Sequence, residues 1–293
     1  MTSTSEPEWV LMIPFITAPG FPLKESHTVT LGGLHAEVRP AAFDYTQITI
    51  DGIRSAQAAF DLFESMRIGM LIASLNINWG IRVLPNVRIL ESDSPMPNEP
   101  DVPLIYPKGK NLRRLVGHVG VIQKNPDKVL PKLLESLEIG LKLASARKAM
   151  TDNLVKLAIE LYVDTYFETS DSARFIGFVG VLEVLKDKDS SSDAATALID
   201  KWRQEASILT HEEADSIQSS LANLKSISIS RGIGSVVKRH LGQDRVKEAR
   251  DLYTARSSLV HYGIRPTDSA DTVRRTQKLV TELLAHIFMV GSR

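Results

Sequence analysis

From Asp127 to the C-terminus, apolar residues recur every three or four positions, and this single change of period divides the chain. Helical stripes in such a run must bury against one another, so residues 126–293 are expected to fold as an all-α bundle. The periodicity predicts helices over Asp127–Ala146, Asn153–Phe167 and Ala173–Leu185, the last capped by Ser170 or Asp171. Others are expected at 193–207, 211–226, 231–241, 244–262 and about Asp271–Val290, with a solvated loop at Lys186–Ser192. Gly242 and Gly263 fall where C-caps are needed.

The preceding residues, 1–125, have strand character and are expected to form an α+β domain. Trp9–Thr17, Thr28–Leu31, His35–Arg39 and Thr46–Ile50 are short β-branched or apolar runs punctuated by Pro and Gly. Thr46–Ile50 alternates like a strand with one wet face. Residues 54–75 change to helical spacing, Ile81–Leu90 returns to strand with Pro85 marking an edge or bulge, and Leu115–Ile122 reads as one more strand. Between them, the proline-rich segment 92–111 is expected to be a loop, because five prolines cannot sit in a helix. The fold class is therefore an α+β N-terminal domain followed by a helical bundle.

Composition narrows the chemistry. Equal numbers of basic and acidic residues, 35 of each, exclude a strongly basic nucleic-acid coat, so any RNA contact must be a local patch. The absence of cysteine removes disulfides, thiolate catalysis and cysteine-ligated zinc. Met1–Glu8 is polar and acidic, unlike a signal peptide, and the apolar run Trp9–Ile16 is broken by Pro14 and too short to span a bilayer. No membrane association is expected, and the expected location is the cytoplasm. Walker-type phosphate loops and two-His zinc motifs are also absent. The pairs Gly177/Gly180 and Gly232/Gly234 lack the setting of a dinucleotide fingerprint and read as helix packing.

An Arg five positions before a His occurs twice, at Arg113…His118 and Arg256…His261. The first straddles a loop and an expected strand, where the side chains would face opposite ways, and reads as coincidence. The second lies on a helix ending at Gly263, with Leu252, Leu259 and Val260 available to anchor its buried side. On an ideal helix, five residues turn through about 500°, leaving the pair roughly 140° apart around the axis and about 7.5 Å apart along it. The two side chains meet if the last turn loosens, or if equivalent pairs face each other across a two-fold axis, which would make dimerisation part of the site.

Such a pair can cleave RNA without a metal or any other cofactor. The 2′-OH supplies the nucleophile, a His near neutrality moves protons, and an Arg guanidinium grips the scissile phosphate. DNA lacks the 2′-OH and would not be cut. The competing account is purely structural: cations in a last helical turn complement the dipole and bond its free carbonyls. Arg231, Lys238, Arg239 and His240 form a basic cluster that could track an RNA backbone or be a solvated helix face, with Arg245, Lys247 and Arg250 as extensions.

Residues about 150–293 resemble a HEPN domain, in particular its ApeA-like branch. Three pieces carry the similarity: Arg174–Leu185 with its Leu-Glu-x-Leu ending, Leu252–Gly263 with the R-x4-H pattern followed by Gly, and the closing amphipathic helix. The resemblance implies an all-helical homodimer with metal-independent endoribonuclease activity, in toxin or anti-phage defence settings. It maps the catalytic pair onto Arg256 and His261, suggests that Ser257 helps orient the phosphate, and offers Glu183 as a brace for Arg256, with an ordinary helix carboxylate as the other reading. Tyr262 departs from the branch's His-Gly pairing by moving Gly263 one place on. The other expectation the resemblance allows is a non-catalytic HEPN-type scaffold mediating dimerisation or nucleic-acid binding. By analogy of domain order, residues 1–125 would sense a phage-derived or nucleotide trigger.

Overall fold

The computed structural model describes residues 8–18, 23, 25–41, 45–91, 94–95, 101–110, 126–146, 152–187, 192–225 and 227–290. Along the chain, a sheet region over residues 9–107 with one long helix is followed, among the described residues, by helices only, the order expected from the periodicity. The expected strand Leu115–Ile122 and the Arg113…His118 pair lie outside the described residues.

Two compact units form, Met1–Thr169 and Ser170–Arg293. In the first, β1 (Trp9–Ala18), β2 (His27–Leu31), β3 (Leu34–Pro40), β4 (Thr46–Ile53), β5 (Gly80–Arg82), β6 (Arg88–Ile89) and β7 (Leu104–Pro107) form one sheet in the order β2-β3-β4-β1-β7-β6. β5 also pairs with β1, and β6 runs parallel to β7. The β2–β3 hairpin turns through Gly32 and Gly33, whose positive φ values of 58° and 82° suit glycine.

Three expectations need correction here. The segment 92–111 is not all loop: Leu104–Pro107 is a fully buried strand paired with β1, because its Leu-Ile-Tyr run is apolar enough to leave the proline-rich context. The expected strand Ile81–Leu90 breaks at residues 83–87 into β5 and β6, as Pro85 lacks a ladder donor. β4 has no wet face at its start: Gln47, on the side expected to be wet, is 1% exposed, with its side-chain amide 2.8 Å from Thr49 Oγ1.

Helix α1 (Ala56–Ile77) starts at Ser55, whose hydroxyl accepts from Ala58 N, and ends at Asn78 in the left-handed region. It shares its core with α2 (Pro126–Ala146). Leu130, Leu133, Leu137 and Leu141 of α2 pack into the cluster built from Phe63, Met66 and Met70 and the sheet. Gly69 and Gly140 let the two backbones touch, since a Cβ on Gly140 would lie 2.4 Å from the Gly69 carbonyl oxygen. α3 (Asn153–Thr165) joins the same unit through Glu160 to Arg67 at 3.3 Å and Asp164 to Arg82 at 2.8 Å. The compact units therefore divide at 169/170, whereas the change of period lies near 125. Helical periodicity marks where strands stop; the partner of a helix's apolar face decides to which unit it belongs.

The second unit contains α4 (Asp171–Leu185), α5 (Asp193–Ala206), α6 (His211–Asn223), α7 (Ile229–Leu241), a 3-10 turn Gln243–Arg245, α8 (Val246–Tyr262) and α9 (Ser269–Val290). Ser170 caps α4 through Ala173 N, leaving Asp171 in the first turn. α4 packs along α9 and α7 along α8, with α4 also meeting α7 and α8. Phe175, Phe178, Leu182, Ile233, Val237, Leu252, Leu279 and Leu283 form this core. Gly232 and Gly234 are packing glycines, as expected: a Cβ would lie 2.6 Å from the Asp187 carbonyl oxygen and 2.7 Å from Arg250 Nε.

Candidate active site

Arg256 and His261 both lie on α8, which ends where the sequence placed its end. Gly263 takes φ 70° and donates to Leu259 O, and Ile264 N donates to Ser258 O at 3.3 Å, an αL-type closure of the helix end. The final turn is regular helix, so loosening does not bring the two side chains together. Arg256 continues the stripe of Val246, Ala249 and Leu252 into the bundle, whereas His261 is exposed.

The Arg256 side chain is 22% exposed, and its Nε lies 3.5 Å from Glu183 Oε1 on α4, itself 22% exposed. Both atoms are buried and lack a hydrogen bond among the described residues. Glu183 is thus paired with Arg256, and the two offset one another's desolvation. Ser257 follows Arg256 on α8, half-buried. Tyr262 is 76% exposed, and its ring centre lies 6.3 Å from that of His261, edge to face.

The expected anchoring of this turn is only partly met. Leu252 is 3% exposed, but Leu259 is half-buried and Val260 is 47% exposed. Val260 lies roughly 40° from Arg256 around the axis, on the buried stripe. The stripe outruns its cover within this chain, and Ile264 beyond the cap is 61% exposed.

The members of the basic cluster differ in their surroundings. Arg231 and Lys238 are exposed and, seven apart, share one face of α7. Arg239 instead forms an ion pair with Asp187. Burial alone would raise the Asp187 carboxyl, but bonds from Arg239 and Ser235 outweigh it and lower its pKa. Arg245 bridges Glu248 at 3.1 Å and Glu282 at 2.8 Å, so it does not extend the cluster, and Arg250 lies against Gly234. His240 is half-buried, its Nδ1 3.4 Å from that of His286 on α9. Burial, then Arg239 and His286, push its pKa below the usual value of 6.5.

Among the described residues there is no group of three or more His, Asp or Glu placed to hold a metal ion. No helix among them is long and apolar enough to cross a membrane. The fold and site together define a sheet-containing unit followed by a helical unit that carries a carboxylate-braced Arg and an exposed His at a helix end. Beyond that description, no protein-family model, curated protein or solved structure matches the chain.

Proposed function

We propose that the chain is a metal-independent endoribonuclease of HEPN type that acts as a homodimer. Arg256 would hold the scissile phosphate, Ser257 would help orient it, and His261 would move a proton to or from the reacting oxygens. The observation that carries the reading is the pairing of Arg256 with Glu183. A carboxylate from another helix fixes a guanidinium that is still partly open to solvent, as a phosphate clamp requires.

Two observations support a second copy. A regular last turn keeps Arg256 and His261 roughly 140° apart, so neither complements the other within one chain. The unfinished stripe at Val260 lies beside Arg256, where an equivalent helix related by two-fold symmetry could complete it. Arg231 and Lys238, exposed on one face of α7, would contact the RNA backbone.

A toxin or anti-phage role in the cytoplasm belongs to the same proposal and rests on the HEPN resemblance. The trigger, a phage-derived molecule or a nucleotide, would act through the first unit. That unit holds a cleft of about 400 Å³ lined by Arg67, Met70, Ile81, Leu84, Val163 and Asp164 among others, apolar with a few charged groups, as small-molecule sites are. The second reading, a non-catalytic scaffold, is favoured by the dipole-complementing position of His261 in the last turn of α8. Purified protein, single-stranded RNA and EDTA separate the two. Cleavage lost in His261→Ala, with the variant still a folded dimer, supports the enzyme; cleavage unchanged in the variant, or absent from both proteins across candidate triggers, favours the scaffold.

A further inference from the structure

We propose that Tyr262 is a stacking platform for one unpaired nucleobase of the RNA, next to the phosphate handled by Arg256 and His261. The proposal rests on the ribonuclease reading and names its substrate as single-stranded RNA.

Three observations carry it. First, Tyr262 is 76% exposed, although it is the last residue of a well-closed helix. An aromatic side chain contributes strongly when its face is covered, and among the described residues nothing covers most of this one. Second, Tyr262 does not belong to the unfinished apolar stripe. It lies roughly 120° from Arg256 in the sense opposite to Val260, so a second copy completing the stripe would leave it open. Third, its ring stands edge to face with His261 at 6.3 Å between centres, so a base lying on Tyr262 would be a neighbour of the imidazole. The proposed stack would place the sugar and phosphate of that nucleotide within reach of His261. Arg265, exposed just past the cap, adds a cation at the same end of the helix.

The chemistry selects the ligand class. In a duplex both faces of a base are covered by its stacked neighbours, so an unstacked, single-stranded base is the one that can lie on Tyr262. Stacking accepts every base, and the recognition would therefore tolerate many sequences around the cut. The left-handed Gly263, held by its bond to Leu259 O, fixes the backbone beneath the ring and limits the ordering cost of the stack.

The test uses the full chain and a fluorescent single-stranded oligoribonucleotide, with binding followed by anisotropy in a His261→Ala background and cleavage followed with His261 present. Tyr262→Ala is expected to weaken binding about 5- to 100-fold, the range of one base–aromatic stack, whereas Tyr262→Phe and Tyr262→Trp retain it. Equal binding by Tyr262→Ala overturns the proposal. So does a change of oligomeric state in that variant by light scattering, which would make the ring a protein contact, and so does failure of the unsubstituted chain to bind the strand. The two readings fail separately. Cleavage that survives His261→Ala ends the catalytic reading, while the Tyr262→Ala affinity still decides the stacking one.

Discussion

Arg256 Nε on α8 and Glu183 Oε1 on α4 lie 3.5 Å apart, both buried, although 73 positions separate them in the chain. The two helices pack together, so this ion pair both fastens α8 to α4 and holds the guanidinium in one place. Under the proposed function the same contact has a structural and a functional consequence, which a substitution can distinguish.

Replacing Glu183 by Gln keeps the size and removes the charge. The loss of the pair, discounted for its partial exposure, is expected to cost about 1–2 kcal/mol of stability. RNA cleavage should fall ten-fold or more, because Arg256 is no longer oriented. Chemical denaturation and single-turnover cleavage, measured on the same preparation, check both. A variant as active as the parent chain would remove Glu183 from the site.

Val260 sits on the buried stripe of α8 yet is half bare. Val260→Asp is expected to turn a dimer into a monomer, because a carboxylate on the contact face would be desolvated without a partner. Light scattering reads the mass. The monomer should be inactive although it keeps Arg256 and His261, and an active monomer would refute the shared site.

Two glycines in the helical unit should respond in opposite directions. Gly180 lies inside α4 with nothing within 4 Å of the place a Cβ would take, so Gly180→Ala is expected to stabilise by about 0.5–1 kcal/mol through helix propensity. Gly232→Ala would drive a methyl against the Asp187 carbonyl oxygen and is expected to destabilise by about 1–3 kcal/mol. Urea midpoints of the two variants against the parent chain give the signs.

His240 supplies a pH dependence. Its pKa is lowered on folding by burial first, then by Arg239 and His286, so the unfolded chain binds the proton more tightly. Stability from this group is complete above its ordinary value of 6.5 and declines as the pH falls below it towards the lowered folded value. Thermal melts from pH 7.5 to 5 should show the decline, and His240→Gln should flatten it. An unchanged slope in that variant would assign the effect elsewhere.

Much of the helical half is legible in the sequence because each helix announces itself locally. Ser170 before α4, Gly242 after α7 and Gly263 after α8 are short-range signals whose geometry depends on a few neighbouring residues. The buried strand Leu104–Pro107 is not legible, since prolines on its N-terminal side dominate the local pattern and only pairing with β1 reveals it. The division between compact units escapes the periodicity for a related reason. The leucines of α2 signal a buried face, but nothing in their spacing says that the face belongs to α1.

The candidate site divides in the same way. Sequence alone determined that Arg256 and His261 share a helix ending at Gly263, and that regular helical geometry keeps them on different faces. Tertiary structure decided that Arg256 meets Glu183, that Arg239 is taken by Asp187 and Arg245 by Glu248 and Glu282, and that Val260 and Tyr262 are left open. Periodicity and capping are fixed by neighbours within a turn, whereas an ion pair or a covered face depends on which distant helix packs there.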